Sequence, residues 1–205
     1  MSSTTLYRLS GIGLFIGSLI TIISFIPDFI PASTLAGPST LLRAIGLTLF
    51  VLGLPAMYAR LAPRAGILGL VGFIAVFAAI LVGIALQPIF GIILPFLATH
   101  APALAKGGPP HELFLLFAIQ SVLSLIGDTL LGIAVMRAIV FPRWAGLVLI
   151  VSSVVGFVGG LFFGVDFGNA CFMIGLAGYA WLAVGMVSKR PTTLQAELST
   201  SGVRA

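Results

Sequence analysis

The chain has 205 residues, 60% of them hydrophobic and only 7% charged, with a mean hydropathy of +1.24. Soluble domains carry about a quarter charged residues, so a soluble globular fold is excluded and an integral membrane protein is expected. The net charge of +5 comes from ten basic residues scattered singly among apolar runs, which form no stripe for nucleic acid, and the lone Cys171 allows neither an internal disulfide nor a thiolate metal cage.

A bilayer core about 30 Å thick takes roughly 20 apolar helical residues to cross, because unpaired backbone amides are costly in hydrocarbon and a helix pairs its own. The first such segment covers 7–27. Its apolar run from Leu9 to Ile26 is 18 residues, longer than the roughly 7–15 of a cleaved signal core, so a retained helix is expected. PDFIPASTLAGPS separates it from a second segment at 41–59, and YARLAPRAG separates that from a third at 66–87. The next stretch, QPIFGIILPFLATHAPALAKGGPPHE, is interrupted by Pro88, Pro95 and Pro102. It is too broken to span, and a cap over 88–112 is expected at the outer face, lying at the interface or dipping back against the bundle. A fourth segment at 113–136 ends in MRAIVFPRW, a fifth at 145–164 ends in GVDFGN, and a sixth covers 169–187. From Pro191 the sequence PTTLQAELSTSGVRA reads as a polar, flexible cytoplasmic tail over 191–205. The expected fold is all-α: a polytopic membrane bundle of six transmembrane helices forming one domain over 1–190.

With the N-terminus in the cytoplasm, Arg8, Arg60, Arg64, Arg137, Arg143, Lys189, Arg190 and Arg204 fall inside, and only Arg43 and Lys106 outside. This asymmetry follows the positive-inside rule and predicts an N-in, C-in orientation. Trp144, Trp181 and Tyr58 fit an aromatic belt near the cytoplasmic interface.

An internal echo runs between LGLPAMYARLAPRAG at 52–66 and LGIAVMRAIVFPRWAG at 131–146. It suggests that the second and third helices duplicate the fourth and fifth in parallel orientation. Glycines recur at helix-packing spacing: Gly13 with Gly17, Gly156 with Gly160, Gly160 with Gly164, Gly175 with Gly178. Such faces let helices approach closely in lipid, within one chain or between two copies.

Asp128 lies inside the apolar run 116–137, which contains no basic residue before Arg137. It sits roughly 24 Å below Glu112 and roughly 13 Å above Arg137 along a helix. A charge in the bilayer costs at least ~2.5–3.5 kcal/mol, so this acid is expected to face the bundle or a wet cavity. Gln120 and Ser124, eight and four residues earlier, share its face and make a polar stripe on the fourth helix. A neutral carboxyl there suits a hydrogen bond to a lipophilic ligand, a relayed proton, acid chemistry on a reactive substrate, or a bond to a neighbouring helix's carbonyl. Phe117 and Phe162 are candidate walls for a greasy ligand. A second polar group gathers at the outer face: Asp28, Arg43, His100, Lys106, His111, Glu112, Asp166 and Asn169. Arg43 is placed to reach Asp28 or Asp166. His111 and Glu112 lack the second helical histidine of a zinc-protease motif, so no metal is expected. No glycine-rich phosphate loop ending in lysine, Gly-Xaa-Ser-Xaa-Gly elbow or paired haem histidines occur in the sequence.

The stretches LYRLSGIGLFIGSL, LGLPAMYARLAPRAG, FPRWAG and GLAGYAWLAVGM resemble those of small uncharacterised bacterial multipass membrane proteins of about six helices. That resemblance implies the bundle fold and the bacterial inner membrane, and assigns no site residues. A more distant likeness, in size, helix count and a buried carboxylic acid, is to small membrane-embedded terpene cyclases. Three functions stay open. The first is acid-initiated chemistry by Asp128 on an isoprenoid-like lipid, which would make the chain a membrane-bound lyase or isomerase. The second is a small proton- or cation-coupled transporter, and the third a non-catalytic membrane assembly protein. No cofactor is expected; the expected partners are membrane lipid, a lipophilic small molecule and, through the glycine faces, a second copy of the chain.

Overall fold

The computed structural model describes residues 3–30, 36–101 and 111–188. Regular structure among them is entirely helical. Helix α1 (Ser3–Phe25) runs into a tight 3-10 turn, Ile26–Phe29, with Pro27 at its start. Helix α2 (Ala36–Pro88) is followed by a wider π-helical stretch, Ile89–Ile93, and then by the short α3 (Leu94–His100). Helices α4 (His111–Ala138), α5 (Arg143–Phe163) and α6 (Val165–Ser188) complete the described chain. Five helices are long and apolar enough to cross a membrane. Their outward surfaces are greasy: Leu52, Ile67, Leu161 and Phe163 are among many exposed large apolar side chains. A water-soluble protein does not expose so continuous an apolar surface, so the chain is a membrane protein.

The junction expected at YARLAPRAG is narrower than its prolines suggest. The helix continues through Pro55 and Pro63, and the non-helical residue inside α2 is Gly66, at φ 59° and ψ −160°. That backbone region is open essentially to glycine alone. Here α2 folds back on itself: past the end of its second limb, Gly91 lies against Thr40 at the start of the first, where a methyl on Gly91 would meet Thr40 Cβ at 2.6 Å. The stretch expected as an interfacial cap remains helical from Ile89 to His100. Lys106, like the rest of 102–110 and the tail from Pro191, lies outside the described residues.

The helices form a closed ring. The first limb of α2 packs on α1, the second limb on α4, α4 on α5, α5 on α6, and α6 on α1. In lipid, burying leucine against leucine gives no hydrophobic gain, so close backbone approach must hold such a ring together. Glycines provide it. Methyls placed on Gly132 of α4 or Gly146 of α5 would each lie 2.6 Å from the other glycine's carbonyl oxygen. A methyl on Gly53 would meet the Ser10 carbonyl of α1 at 2.6 Å, and one on Gly72 the Leu131 amide of α4 at 2.6 Å. Of the expected glycine pairs, Gly17 presses on the Phe50 backbone and Gly156 on Cys171, while Gly13 and Gly160 have ordinary clearance. Gly164, at φ 92°, serves as the turn between α5 and α6. The centre of the ring is filled by Leu14, Phe50, Leu54, Leu131, Leu149 and Tyr179.

Both ends of the ring are marked by arginines. At one end Arg60 reaches the last turn of α6 and Arg64 the last residue of α4, beside Arg143 at the start of α5. At the other, Arg43 pairs with Asp28 where α1 ends.

Candidate functional site

Asp128 is carried on α4 next to Gly127, whose missing side chain lets Val76 of α2 come close; a methyl there would lie 2.6 Å from the Val76 amide nitrogen. Across the ring, the Tyr179 hydroxyl of α6 donates a hydrogen bond to Asp128 Oδ1 at 2.5 Å. Tyr179 is buried, and its ring meets that of Phe50 edge-on, 4.9 Å between centroids and 84° between planes. That packing fixes the ring and so aims the hydroxyl. Asp128 itself is half-buried. Among the described residues its Oδ2 has no hydrogen-bond partner and no cationic side chain pairs with it. One carboxyl oxygen is therefore anchored while the other stays available.

The polar stripe of α4 fans out along the helix. Eight residues at 3.6 per turn turn the face by about 80°, so Gln120 and Asp128 address different neighbours. Gln120 faces the second limb of α2, its Nε2 2.9 Å from where a Gly83 methyl would be. Ser124, between them, is half-buried. Phe117 is 39% exposed and Phe162 79% exposed, both on the outer surface. Among the described residues two surface recesses stand out. One of about 390 Å³ is lined by Arg60, Pro63, Arg64, Ile139 and Val140. The other, about 300 Å³, lies between α5 and α6 and includes Ser152 and Cys171. Neither is lined by Asp128, Phe117 or Phe162.

Of the outer-face group, the structure brings Asp28 and Arg43 together at 2.6 Å. Arg43 Nη2 also donates to the Ser24 carbonyl at 3.0 Å, and the guanidinium lies 3.6 Å over the Phe25 ring. Glu112 and Asp166 are exposed and Asn169 half-buried, outside that pair. His100 stacks on Phe96 at 4.3 Å and points its Nδ1 to the Phe96 carbonyl. The His111 side chain lies outside the described residues. Among the described residues no three His, Cys, Asp or Glu side chains gather in a way that would hold a metal.

Three features went unread in the sequence. Tyr179 sits 51 residues from its partner, in an apolar run where a tyrosine is ordinary. Ser18, Thr21 and Ser24 form a buried stripe on α1, each hydroxyl donating to a carbonyl of its own helix at 2.6–2.8 Å; their three-residue spacing was the available signal. Arg60 and Arg64 show only their charge in the sequence, whereas their bonds join three helices. No family model, curated protein or solved structure matches the chain.

Proposed function

We propose that the chain is a bacterial inner-membrane protein crossing the bilayer six times, with both termini cytoplasmic, and that Asp128 with Tyr179 binds and releases a proton to couple the passage of a small solute. The observation that carries this reading is the asymmetric carboxyl: Oδ1 held by Tyr179, Oδ2 without a protein partner among the described residues. A carboxylate in hydrocarbon with only one hydroxyl beside it and no cation is costly. Such groups in membrane helices mark proton and ion paths. Tyr179 keeps the carboxyl oriented in both protonation states, because its hydroxyl donates to either form. The halves of α2 count as separate spans in this reading, each reaching from one arginine-marked end of the ring to the other.

The test is proton movement in liposomes holding the purified full chain, followed with an entrapped pH dye while a panel of small solutes is supplied. Wild-type protein is expected to move protons with at least one solute, Asp128→Asn not at all, and Tyr179→Phe more slowly. Identical fluxes for the wild type and Asp128→Asn would sink the proposal. Conversion of an isoprenoid-like lipid by wild-type membranes, lost in Asp128→Asn, would instead assign the same proton to acid-initiated chemistry.

A further inference from the structure

We infer that the recess between the fold of α2 and the α4–α5 turn binds a phosphate-bearing anion, such as the headgroup of an anionic phospholipid. The recess, about 390 Å³, is lined by Arg60 and Arg64 on one side and Ile139 and Val140 on the other, with Pro63 between the arginines. Each guanidinium is anchored through a single nitrogen. Arg60 Nη1 donates to the Gly185 and Met186 carbonyls at 3.2 and 3.1 Å, and Arg64 Nη1 to the Ala138 carbonyl at 3.4 Å. These bonds cap the ends of α6 and α4, where carbonyls lack partners and the helix dipole favours a cation.

Capping occupies one guanidinium nitrogen per arginine and requires no hollow between them. Among the described residues the remaining guanidinium nitrogens donate to no other group; Arg64 is exposed and Arg60 half-buried. No carboxylate pairs with either side chain there. Guanidinium groups fixed by one nitrogen present the others as a ready fork, which matches the oxygens of a phosphate. The apolar wall suits a molecule with a greasy part. Ile139 is 61% exposed and holds a left-handed backbone at φ 55°, so a large side chain is kept at the rim in a conformation it rarely adopts. Basic pockets between membrane helices on the cytoplasmic side bind lipid phosphates. The inference is independent of the proton site, since neither arginine touches Asp128.

The experiment uses the full chain in phosphatidylcholine nanodiscs doped with phosphatidylglycerol, with retained lipid counted by native mass spectrometry. The wild type is expected to retain one phosphatidylglycerol in preference to phosphatidylcholine. R64Q and R60Q are each expected to weaken that retention about fivefold, the effect of one basic residue near an anionic headgroup. Because Arg60 braces the end of α6, R64Q carries the result where R60Q fails to fold. R143Q removes the same charge from the same face outside the recess, and is expected to stay within about twofold of the wild type. Equal retention of the two lipids, or an R143Q loss equal to that of R64Q, would overturn the inference. Millimolar inorganic phosphate distinguishes the sources: displacement of the lipid assigns the site to free phosphate as well, and undisturbed retention assigns it to the lipid alone.

Discussion

Tyr179 and Asp128 illustrate how little one hydrogen bond in a membrane contributes to stability and how much it can decide about placement. Interhelical hydrogen bonds in bilayers average about 0.6 kcal/mol and reach about 1.7, because the separated helices also find partners. Tyr179→Phe keeps the ring that packs on Phe50 and removes only the hydroxyl. It is expected to destabilise the protein by about 0.6–1.7 kcal/mol in reversible unfolding from mixed micelles, with helicity unchanged. A loss of zero would mean that the bond is not made in the membrane. Asp128→Asn retains a carbonyl acceptor for the tyrosine and is expected to be milder still, so lost proton movement in that variant would reflect chemistry and not unfolding. Asp128 was legible in the sequence because an acid in an apolar run is a chemical anomaly. Its partner was not, because tertiary packing alone distinguishes Tyr179 from any other aromatic residue in a greasy helix.

Helices in this bundle are organised by where the backbone can approach or turn, and glycine decides both. Gly132 and Gly146 face each other so closely that a methyl on either would lie 2.6 Å from the opposite carbonyl oxygen. Gly132→Ala must therefore push α4 from α5, at about 1–3 kcal/mol, the range for overpacking. Gly160→Ala is expected to be nearly neutral, since its methyl would find its nearest neighbour at 3.8 Å. Equal thermal stability of the two variants would show that the α4–α5 contact does not hold the ring. Gly66 poses the opposite problem, with free space around it but a backbone that a side chain resists. Gly66→Ala is expected to cost about 1–3 kcal/mol through strain at the fold of α2, visible as a lower unfolding temperature. The sequence showed the Pro and Gly breaks, and the helix runs on past 59, where the second expected segment ends, as far as Gly66. Proline at 55 and 63 is tolerated inside a membrane helix because neighbouring groups take up the freed backbone. The spacing of glycines likewise did not reveal which of them are tight: Gly13 and Gly17 look alike in sequence and differ in the packed bundle.

The ring as a whole has a polarity that its charges impose. Arg60, Arg64 and Arg143 gather where α4 and α6 end and α5 begins, while Asp28 and Arg43 neutralise each other at the opposite rim. Charge placement of this kind was legible from the sequence, because it depends on position along the chain and not on packing. How α2 is counted determines the topology. If its two limbs are two spans, the chain crosses six times, and Arg8 near the start of α1 lies on the same side as Arg137 at the end of α4. If α2 and its extension crossed only once, Arg137 would emerge on the side opposite Arg8, and the basic residues would be divided between the two faces. Single cysteines in a Cys171→Ser background separate the two counts, since Arg8, Glu112, Arg137 and Asp166 are all exposed. With six spans, Arg8→Cys and Arg137→Cys are expected to react with a membrane-impermeant maleimide only from the cytoplasmic side, and Glu112→Cys and Asp166→Cys only from the outside. Labelling of Arg8→Cys and Arg137→Cys from opposite sides would refute the folded-back α2 as a pair of spans. It would also place the arginine recess away from the leaflet its charge predicts, because the rule that orients the bundle is the same one that gathers its guanidinium groups at one face.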